Sequence, residues 1–218
     1  MPILAIVCDI EGTTTSLAFV HQVLFPLSRK EIRAFVDSNW ESELIGKLRV
    51  EISPFTKENV IQTLHSWIDS DLKHPVLKEI QGRIWKTGFE SGEIRGHVYP
   101  DVSENFRKWQ AREVRIAIFS SGSVHAQQLI FRYSDAGDLT NYIDAYFDTW
   151  VGTKKDPNSY SKIAIRLNVD PGNVLFLSDV EVELDAAQTA GMKTIQVLRE
   201  GVIPGKHQKV RTFDEIEA

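Results

Sequence analysis

Cysteine is nearly absent from the sequence, which contains one, Cys8, among 218 residues. One cysteine cannot form a disulfide bond within the chain, and this composition is typical of proteins from a reducing compartment. Basic residues are not in excess either, because 25 Lys and Arg stand against 30 Asp and Glu, for a formal net charge of -5. This balance excludes a strongly basic nucleic-acid binder, and we expect no nucleic-acid partner.

Long apolar runs are also missing. None approaches the roughly 20 residues that a membrane-spanning helix needs, and residues 1–9 lack the basic flank and cleavage site of a signal peptide. We therefore expect a cytoplasmic protein with no membrane contact. Hydrophobic residues make up 42% of the chain and charged residues 25%, which is ordinary for a globular protein.

Short apolar runs are present, and several of them end in polar residues. They lie at residues 3–8, 114–119, 174–177 and 194–198. Such runs predict strands buried on both faces of a parallel sheet. Helical periodicity over 102–109 and 160–167 separates them, which predicts an α/β fold with a Rossmann-like, doubly wound sheet. Ligands bind beyond the carboxyl ends of strands in such sheets, where Asp9, Ser120 and Asp179 follow the first three runs.

The stretch from residue 16 to residue 96 has a different pattern. Apolar side chains recur at helical spacing over 27–36, 60–68 and 76–85, and no buried strand interrupts them. We interpret residues 16–96 as a helical subdomain inserted into a core formed by residues 1–15 and 97–218.

The first strand leads into an acidic loop, Asp9-Ile10-Glu11-Gly12-Thr13-Thr14. Gly12 permits a tight turn, and the loop's hydroxyl and N–H groups can hold an anion. Asp9 could therefore attack phosphorus or carbon as a nucleophile. An aspartate that only caps a turn is the alternative.

Groups suited to phosphate and metal binding follow two further strands. Ser120 and Ser121 start a predicted helix and could cradle a phosphate, or could simply cap that helix. Lys154 could neutralise a phosphate, or could be a solvated lysine. Asp179 could share one Mg²⁺ with Asp9, because Mg²⁺ prefers oxygen ligands and would offset the repulsion between the two carboxylates.

Together these features resemble the haloacid dehalogenase-like hydrolase superfamily, whose motifs occur in the same order. A closer resemblance, over nearly the whole chain, is to the enolase-phosphatase family of methionine salvage. It rests on Glu11 as the second carboxylate of the acidic loop, on ESGEIRGHVYPD at 90–101, on IFSSGS at 118–123, and on FDT at 147–149 followed by Lys154.

The resemblance implies a Rossmann-like core, a helical cap and one Mg²⁺ per chain, held by Asp9, Asp179 and the backbone carbonyl of Glu11. It implies that Ser120, Ser121 and Lys154 bind the phosphate of a small phosphorylated diketone. Asp9 would be the nucleophile. Glu11 is one methylene longer than the aspartate usual in the superfamily, so its acid/base role stays open.

The reaction implied is enolisation of 2,3-diketo-5-methylthiopentyl 1-phosphate, followed by loss of phosphate to give the acireductone. A Mg²⁺-dependent phosphatase of another metabolite and a non-catalytic binding protein of the same fold are the alternatives. A dehalogenase would need no metal, so the presence of Glu11 together with Asp179 argues against a dehalogenase. We expect a monomer, with Cys8 as core packing and residues 206–209 as a solvated face.

Overall fold

The structure is a computed structural model, and it describes residues 2–217. The chain divides into two compact units. One comprises Met1–Leu17 and Arg95–Ala218, and the other comprises Ala18–Ile94. The chain therefore passes from one unit to the other at residues 17/18 and 94/95, whereas the predicted boundaries are 15/16 and 96/97.

The first unit contains a six-stranded, wholly parallel sheet in the order β3-β2-β1-β4-β5-β6. The strands are β1 Ala5–Cys8, β2 Arg115–Phe119, β3 Ala145–Phe147, β4 Val174–Ser178, β5 Lys193–Val197 and β6 Gln208–Val210. The α/β fold and all four predicted strands are confirmed. The two missed strands, β3 and β6, have three residues each and lie at the sheet's edges, where burial on both faces is not required.

Helices cover both faces of this sheet. They are α6 Pro100–Ala111, α7 Val124–Arg132, α8 Pro157–Leu167 and α9 Glu181–Thr189. Ala5 and Val7 of β1 belong to a core cluster that includes residues of α8 and α9. Ile6 and Cys8 alternate to the opposite face and are fully buried there. Burial on both faces explains why these strands read as nearly continuous apolar runs.

The regular structure of the second unit is all helical, and its first helix begins at Leu17, one residue before the boundary of the unit. Its elements are α1 Leu17–Phe19, a π-helical turn Val20–Leu24, α2 Phe25–Ser38, α3 Glu43–Gly46, a 3-10 turn Lys47–Val50, α4 Lys57–Asp69 and α5 Pro75–Ser91. Ile32 and Val36 of α2, and Val60 and Leu64 of α4, are fully buried, as their helical spacing predicts. Gly92 ends α5 in the left-handed conformation, with φ +77°.

The prediction of a solvated face at residues 206–209 is wrong for His207, which is buried. Its Nδ1 lies 2.9 Å from Thr194 Oγ1 and its Nε2 lies 2.9 Å from Asp185 Oδ1. The reason is the unpredicted strand β6, which draws His207 towards β5. The expectation for Cys8 is confirmed, because the residue is buried in β1 and burial, with the neighbouring Asp9 charge, raises the pKa of its thiol. Across residues 2–217 there is no helix long and apolar enough to cross a membrane.

Gly96 tests how closely the backbone packs before α6. A Cβ at this position would overlap the carbonyl oxygen of Ile130, and backbone cannot move aside as a flexible side chain can. We expect Gly96→Ala to lower the free energy of unfolding by about 3 kcal/mol in chemical denaturation. Gly46→Ala is the matched control, because a Cβ there meets no atom within 4 Å. Equal stability of the two variants would contradict this packing.

Candidate active site

The register of the central strands determines where the predicted site residues lie. Cys8, the last residue of β1, pairs with Ile118 of β2 and with Leu177 of β4. The polar residues that follow these strands, Asp9, Ser120 and Asp179, therefore emerge at one edge of the sheet. This is the edge at which open α/β sheets bind ligands.

The acidic loop turns back on itself around one carbonyl oxygen. Ile10 O accepts from the N–H groups of residues 13, 14 and 15 at 3.2, 3.0 and 2.9 Å. Gly12 sits inside the turn with φ +75°, and a Cβ there would lie 2.5 Å from Asp179 Oδ2. Both the turn and the close approach of Asp179 therefore require glycine.

Thr13 links the acidic loop to the end of β4. Its hydroxyl accepts from the backbone N–H of Asp179 at 3.0 Å and lies 3.4 Å from Asp179 Oδ1. Asp9, directly after β1, also bonds to β4, because its N–H donates to Leu177 O at 2.9 Å. The two carboxylates are thus carried by neighbouring loops that hydrogen bond to each other.

Lys154 is buried against Asp9. Its side chain is 8% exposed, and its Nζ lies 2.6 Å from Asp9 Oδ1. Helix α8 holds the backbone of this loop, because Ser159 Oγ donates to Thr153 O and the Tyr160 hydroxyl donates to Lys154 O, each at 2.7 Å. A lysine held this way is not the solvated lysine that the sequence left open.

Glu183 is a site residue that we did not predict. It lies in the first turn of α9, its carboxylate is 2.5 Å from Lys154 Nζ, and it accepts from the Ser178 hydroxyl at 3.0 Å. Lys154 therefore bridges two carboxylates. The spacing of Glu183 one helical turn after Asp179 was visible in the sequence, but its partner on a separate loop was not.

Negative charge exceeds positive charge in this cluster of Asp9, Lys154, Asp179 and Glu183. Burial, and then the Asp9 charge, raise the pKa of Asp179 to about 6. The same two causes raise the pKa of Glu183. Burial alone would lower the pKa of Lys154, but attraction by Asp9 and Glu183 outweighs it and raises that pKa. One ammonium group does not neutralise three carboxylates.

The two serines predicted to cradle a phosphate lie in the turn between β2 and α7. Ser120 is buried and its N–H donates to Phe147 O at 3.1 Å, whereas Ser121 is half-buried. Helix α7 is capped by Ser123, whose hydroxyl accepts from Ala126 N at 3.3 Å. Because Ser123 caps the helix, Ser120 and Ser121 are not needed for that task.

The carboxylates of Asp9 and Asp179 and the backbone carbonyl of Glu11 would suit one hard divalent cation. In residues 2–217 no three His, Cys, Asp or Glu side chains form a metal-binding group. Two carboxylates with one backbone carbonyl are nevertheless the kind of oxygen set that holds Mg²⁺, which keeps several water ligands. The formal charge of the cluster, three carboxylates and one ammonium group, also leaves room for a cation of charge +2.

Comparisons with known proteins identify the family of the chain. Residues 3–191 match a family described as "Hydrolase: haloacid dehalogenase-like hydrolase". A relative from Cronobacter sakazakii, named Enolase-phosphatase E1, is 46% identical over 219 residues, covering 97% of this chain and 96% of the relative. Another of that name, from Aquifex aeolicus, is 43% identical and covers 98% of each chain.

Two solved structures have a similar fold. The UTR4 protein (Unknown transcript 4 protein) from Saccharomyces cerevisiae gives a TM-score of 0.85 at 33% identity, covering 98% of this chain and 100% of that one. CbbY from Rhodobacter sphaeroides, in complex with phosphate, gives a TM-score of 0.63 at 18% identity, covering 98% and 96%. At 18% identity the likeness shows the fold alone.

The surplus of negative charge predicts a pH dependence of stability. Because the pKa of Glu183 is raised in the folded state, that state binds more protons than the unfolded one above about pH 4.5, and stability falls as the pH rises. Glu183→Gln should make this fall of stability with pH less steep, by up to about 1 kcal/mol per pH unit. Denaturation in a metal chelator between about pH 5 and pH 8 measures the slope.

The matched control for this slope is Glu104→Gln, which changes an exposed glutamate of α6. It should leave the pH slope of wild type unchanged. An unaltered slope in Glu183→Gln would show that the Glu183 carboxylate has an ordinary pKa in the folded protein.

Proposed function

Because the chain belongs to the haloacid dehalogenase-like hydrolases and, within them, to the enolase-phosphatase E1 family, we propose that it converts 2,3-diketo-5-methylthiopentyl 1-phosphate to an acireductone. The substrate is first enolised, and its phosphate is then removed, a sequence of steps belonging to methionine salvage. The observation that carries the proposal is Asp9, a buried carboxylate at the end of β1 that lies 2.6 Å from the buried Lys154 ammonium.

Asp9 is the nucleophile of the phosphatase step in this proposal. One of its carboxylate oxygens attacks phosphorus, and the bond from phosphorus to the enol oxygen breaks. The leaving oxygen takes a proton and departs as the enol. Water then attacks the phosphorus of the aspartyl phosphate, releasing inorganic phosphate and restoring the Asp9 carboxylate.

Lys154, Ser120 and Ser121 bind the transferred phosphate. Lys154 stays protonated because its carboxylate neighbours raise its pKa, so it presents a permanent positive charge. The serines lie in the turn that leads into α7, where hydroxyl and backbone N–H groups can accept an anion. Lys154 is held in place before the substrate arrives, since α8 holds the backbone of its loop.

Mg²⁺ would be held by the carboxylates of Asp9 and Asp179 and by the backbone carbonyl of Glu11. When bound, it supplies positive charge that stabilises the phosphoryl group during transfer and the substrate oxygens during enolisation. Asp179 is oriented for this role by Thr13 and Gly12, which lie against its carboxylate.

We assign proton transfer at the leaving oxygen to the side chain of Glu11. It follows Asp9 by two residues and is half-buried in the same tight loop. In this proposal the helical unit Ala18–Ile94 serves as the cap.

The proposed function is tested with synthetic diketo phosphate and two simultaneous readouts. Inorganic phosphate reports the phosphatase step, and the ultraviolet absorbance of the conjugated enediol product reports enolisation. Wild type should give both readouts, and both should disappear when a chelator removes Mg²⁺. Asp9→Asn should release no phosphate, because the neutral amide cannot attack phosphorus.

Asp170→Asn is the matched control, since it changes an exposed aspartate of the same unit. Its activity should equal that of wild type. Phosphate release at most of the wild-type rate by folded Asp9→Asn would refute the mechanism. Failure of the wild type on this substrate, with release of phosphate from other metabolites, would refute the substrate.

Lys154 gives a second test, with its sequence neighbour as control. Lys154→Met removes the cation that binds phosphate and leaves two buried carboxylates without their partner. We expect phosphate release to fall by at least about 100-fold and the free energy of unfolding to fall by about 3 kcal/mol. Lys155→Met, at an exposed position, should change neither quantity. Similar activities of the two variants would rule out phosphate binding by Lys154.

A further inference from the structure

Arg199, in the loop after β5, forms a buried ion pair with Asp101. Its guanidinium lies 2.8 and 3.2 Å from the two carboxylate oxygens of Asp101. The two side chains are only 8% and 11% exposed. Such a two-pronged pair fixes the guanidinium plane, which a lysine ammonium cannot do.

Two aromatic rings fix Arg199 further. Its guanidinium carbon lies 4.1 Å from the centre of the Tyr99 ring and 5.5 Å from that of Phe213. Asp101 is itself fixed, because its Oδ2 accepts from Phe213 N at 2.7 Å. Tyr99 and Asp101 belong to the stretch by which the sequence resembles enolase-phosphatases, and the proposed chemistry uses neither.

The remaining nitrogen of the guanidinium points to the acidic loop. Arg199 Nε donates to Thr13 O at 3.2 Å. On the other side of that residue, the Thr13 hydroxyl binds the N–H of Asp179 and approaches its carboxylate. A chain of contacts therefore runs from Asp101 through Arg199 and Thr13 to Asp179.

A second contact, from Gln196 of β5, holds Asp179. The side chain of Gln196, 1% exposed, donates to Asp179 O at 2.9 Å and to Ile203 O at 3.1 Å. Its own oxygen accepts from Gly205 N at 2.7 Å. The connection between β5 and β6 is thus tied to both loops that carry the proposed metal ligands.

We propose that Arg199, held by Asp101, is a positioning residue that fixes the acidic loop against Asp179 and so sets the affinity of the site for Mg²⁺. The proposal rests on the metal site of the proposed function and adds a residue to it. Arg199 touches neither the metal ligands' carboxylates nor the phosphate-binding groups in the contacts described above. Residues that orient metal ligands in this way typically change metal affinity by about 10- to 100-fold when they are replaced.

A role through charge alone predicts the opposite result. Removing a cation near the carboxylates would make the site more negative and would tighten Mg²⁺ binding. Loss of positioning would weaken binding instead. Arg199→Lys separates the two roles again, because it keeps the charge but cannot bind both Asp101 oxygens and Thr13 O with one rigid fork.

The experiment is calorimetric titration of Mg²⁺ into metal-free wild type, Arg199→Met and Arg199→Lys. Arg166→Met is the matched control, because it removes an exposed arginine from the same unit. We expect Kd to rise by at least about tenfold in both Arg199 variants and to stay unchanged in the control. Activity measured against Mg²⁺ concentration should show the same shift, with kcat largely restored at saturating Mg²⁺.

Each outcome separates this inference from the function on which it rests. If wild type binds no Mg²⁺, the proposed metal site fails. If wild type binds Mg²⁺ and the Arg199 variants bind it equally well or more tightly, the positioning role is overturned while the proposed function stands. Should Arg199→Met fail to fold, Arg199→Lys decides, and a lower Tm with unchanged Kd would assign Arg199 a purely structural role.

Discussion

Three carboxylates and one ammonium group meet at the carboxyl edge of the sheet, and this imbalance of charge governs the site. Asp9 and Glu183 are buried, Asp179 is half-buried, and the ammonium group of Lys154 opposes them. Placing like charges together under low hydration is costly unless a proton or a cation joins them. The raised pKa values of Asp179 and Glu183 express that cost. A divalent cation would offset that cost.

The surrounding fold holds this strained arrangement in place. The parallel strands bring the loops after β1 and β4 side by side, and Gly12 lets Asp179 approach where a Cβ would collide with it. Helix α8 holds the loop of Lys154 by its backbone. The groups that make these contacts do not react themselves. They hold Asp179 and Lys154 in position, which is how a site becomes preorganised.

The sequence predicts the parts of the molecule that depend on local pattern. The four apolar runs are strands because burial on both faces demands apolar side chains at consecutive positions, as in β1 and β4. Asp9, Ser120 and Asp179 could be placed at one edge because each directly follows such a strand. The helical stripes of residues 18–94 are equally local.

Contacts between distant segments could not be predicted in this way. Glu183 reads as an ordinary acidic residue in the first turn of a helix until Lys154 is seen beside it. Arg199 reads as part of a charged loop, and its partners Asp101 and Thr13 lie far away in the sequence. His207 reads as exposed because the three-residue strand β6 is too short to recognise.

A crystal structure of the protein grown with Mn²⁺ in place of Mg²⁺ tests the central claim most directly, because anomalous scattering locates the metal without ambiguity. The claim predicts one Mn²⁺ per chain, bound by the carboxylates of Asp9 and Asp179 and by the carbonyl oxygen of Glu11, with Lys154 still between Asp9 and Glu183. An anomalous map without a peak at this edge of the sheet, or with the metal bound elsewhere, would contradict it.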